Sequence, residues 1–258
     1  MNKVFLLLIS CFLLVSTSCG DNEKDKNKES LMDLGSDLDS QISDSLTILD
    51  KFNAWEHRNY YGIDISHYQG DVIKLMASTD SLHFVFAKAT EGTGYIDPDF
   101  RTNWREIKEK GLIRGAYHFY RFSDSPIAQA EHFASQIQDL AYSDMAPVVD
   151  VEQGSLGQNV SIANMNSDLK QFLTHLEKLV GRQPIIYTNT SFSNRYLTNT
   201  SFSNYSLWLA DYTKNKPRVP DLWKENGYLI WQKSQNYNDF SITTDFDEFN
   251  GRLNELLH

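Results

Sequence analysis

Asp150 and Glu152 stand two residues apart in Ala146-Pro147-Val148-Val149-Asp150-Val151-Glu152. The stretch predicts a short buried strand, on which residues i and i+2 point to one face about 6.5–7 Å apart, leaving Val149 and Val151 for apolar packing behind. Two acids sharing one partly dry space cannot both ionise freely, so one pKa rises while the other stays low. That division suits glycosidic cleavage: a protonated acid serves the leaving oxygen and a charged carboxylate serves the oxocarbenium-like centre. A lone D-x-E is also what the solvated face of an ordinary strand carries, so the reading needs further acids in the same place.

The elements that would position them recur along the chain from about residue 60. Apolar, β-rich segments fall at 61–66, 83–88, 114–119, 147–152, 184–188, 207–211, 229–233 and 242–247, and helical patterns at 72–78, 100–110, 127–140 and 162–180, with Gly111 and Gly181 as helix stops. Strand-helix alternation predicts a parallel sheet, and eight strands predict closure into an α/β barrel of modified TIM type. Pro217, Pro220 and Gly227 leave room only for a short helix over 219–226. The last connection, 234–241, is too short for a parallel crossover and predicts a hairpin. Helices should therefore surround mainly the first five strands, and few or none the last three. In such barrels the working residues lie at the C-terminal strand ends. Asp64 lies opposite Ile63 and Ile65 on the first strand, Asp245 and Asp247 share a face of the eighth, and closure makes these strands neighbours. Asp64 and Asp245 should thus meet across the mouth from Glu152.

Composition narrows the partners. With 34 acidic against 24 basic residues the formal charge is −10, which argues against nucleic acid, and the 13% aromatic content permits stacking on neutral sugars. No His or Cys spacing predicts a metal site, and no cofactor is expected. Residues 1–18 carry Lys3, an apolar run over 4–15 and small polar residues before Cys19. This resembles a lipoprotein signal in which Cys19 is lipidated, predicting an exported protein anchored at the outer membrane and facing the periplasm or the cell surface. A charged tether and an amphipathic helix over 31–49 complete residues 19–57, and one domain occupies 58–258. The chain is expected to act as a monomer.

The ordered motifs Gly62-Ile63-Asp64-Ile65-Ser66, Phe84-Val85-Phe86-Ala87-Lys88-Ala89-Thr90-Glu91-Gly92, Asp97-Pro98-Asp99-Phe100, Gly115-Ala116-Tyr117-His118-Phe119, Asp150-Val151-Glu152, Ile186-Tyr187-Thr188, Trp208-Leu209-Ala210, Ile230-Trp231-Gln232 and Asp245-Phe246-Asp247 together resemble glycoside hydrolase family 25, the N-acetylmuramidase type of lysozyme. The resemblance implies hydrolysis of the β-1,4 bond after N-acetylmuramic acid in peptidoglycan. It implies Glu152 as general acid, with Asp150, Asp64 and Asp245 completing the catalytic set. Lys88, Glu91, Tyr117, His118, Tyr187, Trp208, Tyr212, Trp231 and Asp247 then fall in or near the substrate groove. Lys233 departs from the family, which often has a ring there. A glycan-binding protein without turnover, or a glycosidase acting on another N-acetylated polymer such as chitin, are the competing readings. Strand spacing leaves the stereochemical course open.

Overall fold

The computed structural model describes residues 43, 56–76, 81–157, 161–237 and 242–257. The expected signal segment, Cys19, the tether and the 31–49 helix other than Ser43 lie outside the described residues.

Fourteen elements follow in chain order: β1 His57–Ile65, α1 Val72–Leu75, β2 Leu82–Glu91, β3 Tyr95–Ile96, α2 Phe100–Glu109, β4 Ile113–Phe119, α3 Pro126–Gln136, β5 Val148–Asp150, α4 Ile162–Val180, β6 Ile185–Asn189, α5 Thr190–Tyr196, β7 Leu207–Ala210, β8 Ile230–Tyr237 and β9 Thr244–Arg252. The sheet runs β1-β9-β8-β7-β6-β5-β4-β2-β3, and a further β1–β2 pairing closes it. Since β3 hangs on β2 alone, eight strands form the ring. Neighbours from β1 through β2 and β4 to β8 are parallel, whereas β9 is antiparallel to both β8 and β1. The expected α/β barrel with a closing hairpin is what the chain forms.

Its interior is filled by rings. Phe86 stacks on Trp208 with centroids 4.4 Å apart, and Tyr187 meets Trp208 edge-on at 4.8 Å. Room for them comes from glycines on the two strands that flank β2: a Cβ on Gly62 of β1 would lie 2.2 Å from the Phe84 ring, and one on Gly115 of β4 would lie 2.3 Å from Phe86. Outside the ring, α4 shows how pattern becomes packing. Ser161 caps it by accepting from Asn164 N, and Met165, Leu169, Phe172, Leu173 and Leu176 recur at helical spacing as its buried stripe. Each such side chain contributes about 1.5–3 kcal/mol through burial.

Three local expectations are corrected, and one helix is added. The helix expected over 127–140 ends at Gln136, because Ile137 leaves helical geometry and is buried, so that Asp139 and Asp144 turn back toward Trp104 and Arg114. The one expected over 72–78 stops at Leu75, with Met76 as its extended cap. Between β7 and β8 only a 3-10 turn, Asp221–Trp223, forms. Between β6 and β7 the chain adds α5, a helix of poor helix formers, started by the Asn189 side chain accepting from Phe192 N at 2.9 Å.

Candidate active site

Strand direction gathers the acids at one rim. Asp64 is the last residue but one of β1, Asp150 ends β5, and Asp245 stands second in the antiparallel β9, so its start rather than its end reaches the mouth. Asp64 and Asp245 are direct partners in the β1–β9 register. Glu152 lies just beyond β5 with extended backbone, φ −147° and ψ −171°, and begins a 3-10 turn over Gln153–Ser155. Its carboxylate accepts from the turn's backbone, while its own N–H donates to Ser155 Oγ at 3.1 Å.

These side chains border a cavity of about 260 Å³ that Asp64, Asp150, Glu152 and Asp245 share with Lys88, Tyr117, Tyr187, Trp208, Tyr212 and Gln232. A second lobe of about 290 Å³, walled by Asn189, Ser191, Asp211 and Arg218, meets the first at Glu152, Tyr187, Tyr212 and Gln235. Glu152 therefore stands where two stretches of a bound chain would join. A larger hollow of about 400 Å³ lies between α3 and α4, but Glu131 is its single ionisable wall residue, so it lacks the paired acids of the rim.

The floor is short of counter-charge. Burial pushes Asp150 well above the ordinary carboxylate range; Glu152 and Asp64 push further, and Lys88 pulls back only in part. Burial raises Asp64 well above its usual range too, with Asp245 adding and the hydrogen bond from Gln232 opposing. Asp245 is pushed up to about 6 by burial and by Glu152. Glu152 is raised by burial against the pull of Lys88 and Arg121. Asp150 Oδ1 has no hydrogen-bond partner. Acids that release their protons less readily than usual thus sit beside one another in a partly dry cleft, as an acid-catalysed cleavage requires.

Gln232, quoted in the sequence only as part of a motif, is the hub of this floor. Its Nε2 donates to Asp64 Oδ2 at 2.7 Å and to Asp245 Oδ2 at 3.3 Å, while its Oε1 accepts from Tyr187 and Tyr212 hydroxyls, each at 2.8 Å. Burial raises the pKa values of Tyr117, Tyr187 and Tyr212, the last to about 12, so all three keep their protons. Arg121 is the second residue that sequence reasoning passed over. It donates to Glu91, through Nε at 3.0 Å, and to Gly154 O in the turn that carries Glu152. Neither amide nor guanidinium belongs to a pattern that spacing could single out.

Several sequence-derived binding residues stand elsewhere. His118 points outward from β4, stacked between Phe133 and Phe172, with Nδ1 2.8 Å from Thr90 Oγ1 and Nε2 3.2 Å from Gln129 Oε1. Burial depresses it to about 3, and it is part of the helix-facing core. Trp231 also faces away from the barrel interior and holds Asp211 O through its indole N–H at 2.7 Å. Lys233 lies over the Trp231 ring and pairs with Glu248 at 2.7 Å. Glu91 binds Lys88 at 2.7 Å and Arg121 beside the cavity without lining it. Asp247 lies beneath the floor, fully buried, and accepts from Trp208 Nε1 at 2.9 Å. Tyr68, 82% exposed, is a lip residue that the sequence did not single out.

The sequence profile of Glycosyl hydrolases family 25 matches residues 63–242. Uncharacterized protein YegX of Escherichia coli K12 is 34% identical over 203 residues, 76% of this chain and 71% of that protein. Lysozyme M1 of Streptomyces globisporus is 31% identical over 206 residues, covering 76% and 69%. Among solved structures, the muramidase from Trichobolus zukalii superposes with a TM-score of 0.68 at 33% identity, covering 77% of this chain and 97% of that one. The bacterial lysozyme from Streptomyces coelicolor gives 0.68 at 29% identity, covering 77% and 95%. With its acids at the mouth of a closed barrel and the family profile spanning most of that barrel, the chain belongs to glycosyl hydrolases family 25.

Proposed function

We propose that the chain is a lysozyme of the muramidase type, hydrolysing the β-1,4 bond between N-acetylmuramic acid and N-acetylglucosamine in peptidoglycan. The observation that carries this is Glu152, raised by burial and standing where the two lobes of the groove join. In this reading Glu152 gives its proton to the bridging oxygen as the C1–O bond breaks, and water supplies the hydroxyl that completes the new reducing end. The developing positive charge at C1 is met by Asp150, Asp64 and Asp245. The role of nucleophile, or of the group that orients the substrate's acetamido arm, falls to that set. Lys88, held by Glu91, limits the charge on Asp150 and Glu152, and Tyr117, Tyr187 and Tyr212 offer neutral hydroxyls to the sugars. Tyr68 offers an exposed ring for stacking.

The protein is further inferred to be exported and held at the outer membrane through a lipid on Cys19, facing the periplasm or the cell surface; Lys3, the apolar run over 4–15 and Cys19 support this. It is also inferred to act as a monomer, with the acids of the groove drawn from β1, β5 and β9 of one barrel. The test is digestion of purified peptidoglycan followed by reduction and mass spectrometry of the new ends. Reduced N-acetylmuramic acid is expected. Reduced N-acetylglucosamine overturns the bond assignment, and bound glycan without release leaves a binding protein.

A further inference from the structure

Asp247 and Asp64 pose an electrostatic problem that ordinary ionisation does not solve. On β9, Asp247 lies two residues from Asp245, the direct partner of Asp64, so the two side chains are diagonal neighbours on the inner face. Asp247 is fully buried; one oxygen accepts from Trp208 Nε1, and the other, Oδ2, meets no nitrogen or hydroxyl donor. Ionised carboxylates only accept, so these two neighbours can bond to each other only if one of them carries a proton. Asp245 of β9, Gln232 of β8 and Trp208 of β7 pack around the pair, Glu152 adds a further acid, and Lys88, the cation that shares the cavity with Asp64, is bound to Glu91. A second negative charge there would be buried and uncompensated, which is far costlier than holding a proton.

We infer that Asp247 is a positioning residue, kept as the neutral acid at neutral pH, whose O–H donates to Asp64 and aims the Asp64 carboxylate into the groove. Two features assign the proton to Asp247 rather than Asp64. Asp247 is sealed from the cavity that Asp64 lines, and Asp64 already accepts from Gln232, which favours its charged form. Asp247 acts through Asp64 and touches no substrate. It removes one charge from a floor that must hold several acids.

Asparagine is the discriminating replacement because it has the shape of a protonated aspartic acid, with one acceptor for Trp208 and one donor for Asp64. In the full chain, Asp247→Leu should lose about 10- to 100-fold in kcat with little change in KM, the loss of one hydrogen bond to a charged group. Asp247→Asn should restore kcat to within about threefold of wild type. An infrared difference spectrum, wild type minus Asp247→Asn at neutral pH, should show the loss of one protonated-carboxyl carbonyl band. An Asn variant that is inactive or unfolded, or a spectrum with no such band lost, overturns the assignment. The inference rests on the muramidase reading only for its kinetics; the infrared band reports the proton whether or not peptidoglycan is turned over, so the two failures are distinguishable.

Discussion

Two of the regions in which the barrel buries carboxylates treat them in opposite ways. Near the strand starts, Asp144 accepts from Arg114 Nε at 2.8 Å, Arg114 Nη2 at 2.9 Å and Ala141 N at 2.8 Å, and the same guanidinium lies 3.9 Å from the Trp104 ring centre. At the rim, Asp150 and Asp247 each leave one oxygen without a donor, and Asp64, Asp150, Glu152 and Asp245 all have raised pKa values. A paired buried acid holds loops together. An underpaired one is a strained reagent that keeps its proton or its reactivity for a substrate. The difference teaches which acids belong to the chemistry and which to the fold.

The comparison can be broken at either end. The largest effect is expected at the rim: Glu152→Gln should lower release of reducing ends from peptidoglycan by about 10³-fold or more, with glycan binding and thermal stability retained. A wild-type rate in that variant removes Glu152 from its role. Next comes the paired region, where Arg114→Ala strands Asp144 and should cost about 3–5 kcal/mol in urea unfolding while the surviving folded fraction turns over normally. Loss of rate in excess of lost fold would erase the contrast.

A smaller effect sharpens the comparison through pH. Asp245 binds its proton more tightly folded, at about 6, than unfolded, so the folded state holds more protons between roughly pH 4 and 6 and stability falls as pH rises through that window. Asp64, Asp150 and Glu152 are raised and act in the same direction. Glu91 opposes them: burial raises it, but hydrogen bonds from Lys88 and Arg121 outweigh that and hold it below its ordinary value. Its contribution is present above that ordinary value and is lost as pH falls through the depressed one. Melting temperatures across this range should therefore decline from acid toward neutral, and Asp245→Asn should flatten the decline. An unchanged slope in the variant would show that Asp245 carries none of it.

Much of the rim was legible because strand geometry makes strong demands on spacing. Closure of eight strands placed Asp64 against Asp245, and the alternation of Asp150 and Glu152 placed both toward one cleft. His118 and Trp231 were harder to read. Strands covered by helices outside and rings inside are apolar on both faces, so alternation no longer tells which way a residue points. The central role of Gln232 and the clamp of Arg121 on Gly154 depend on partners 168 and 33 residues away, a separation that no local pattern encodes. Helix α5 was missed because Thr190-Ser191-Phe192-Ser193-Asn194-Arg195-Tyr196 has weak helix propensity, and its start depends on the Asn189 cap and the burial of Phe192.

The central claim, that the rim acids are held underpaired at the expense of stability because they do the chemistry, is tested most directly at Asp150. Asp150→Asn removes a buried ionisable carboxyl with no partner at Oδ1 while keeping its shape. Turnover on peptidoglycan and the urea midpoint should be measured on the same preparation. The account predicts a rate at least about 100-fold lower together with a midpoint equal to or above that of wild type. A lowered midpoint with the rate intact would contradict it.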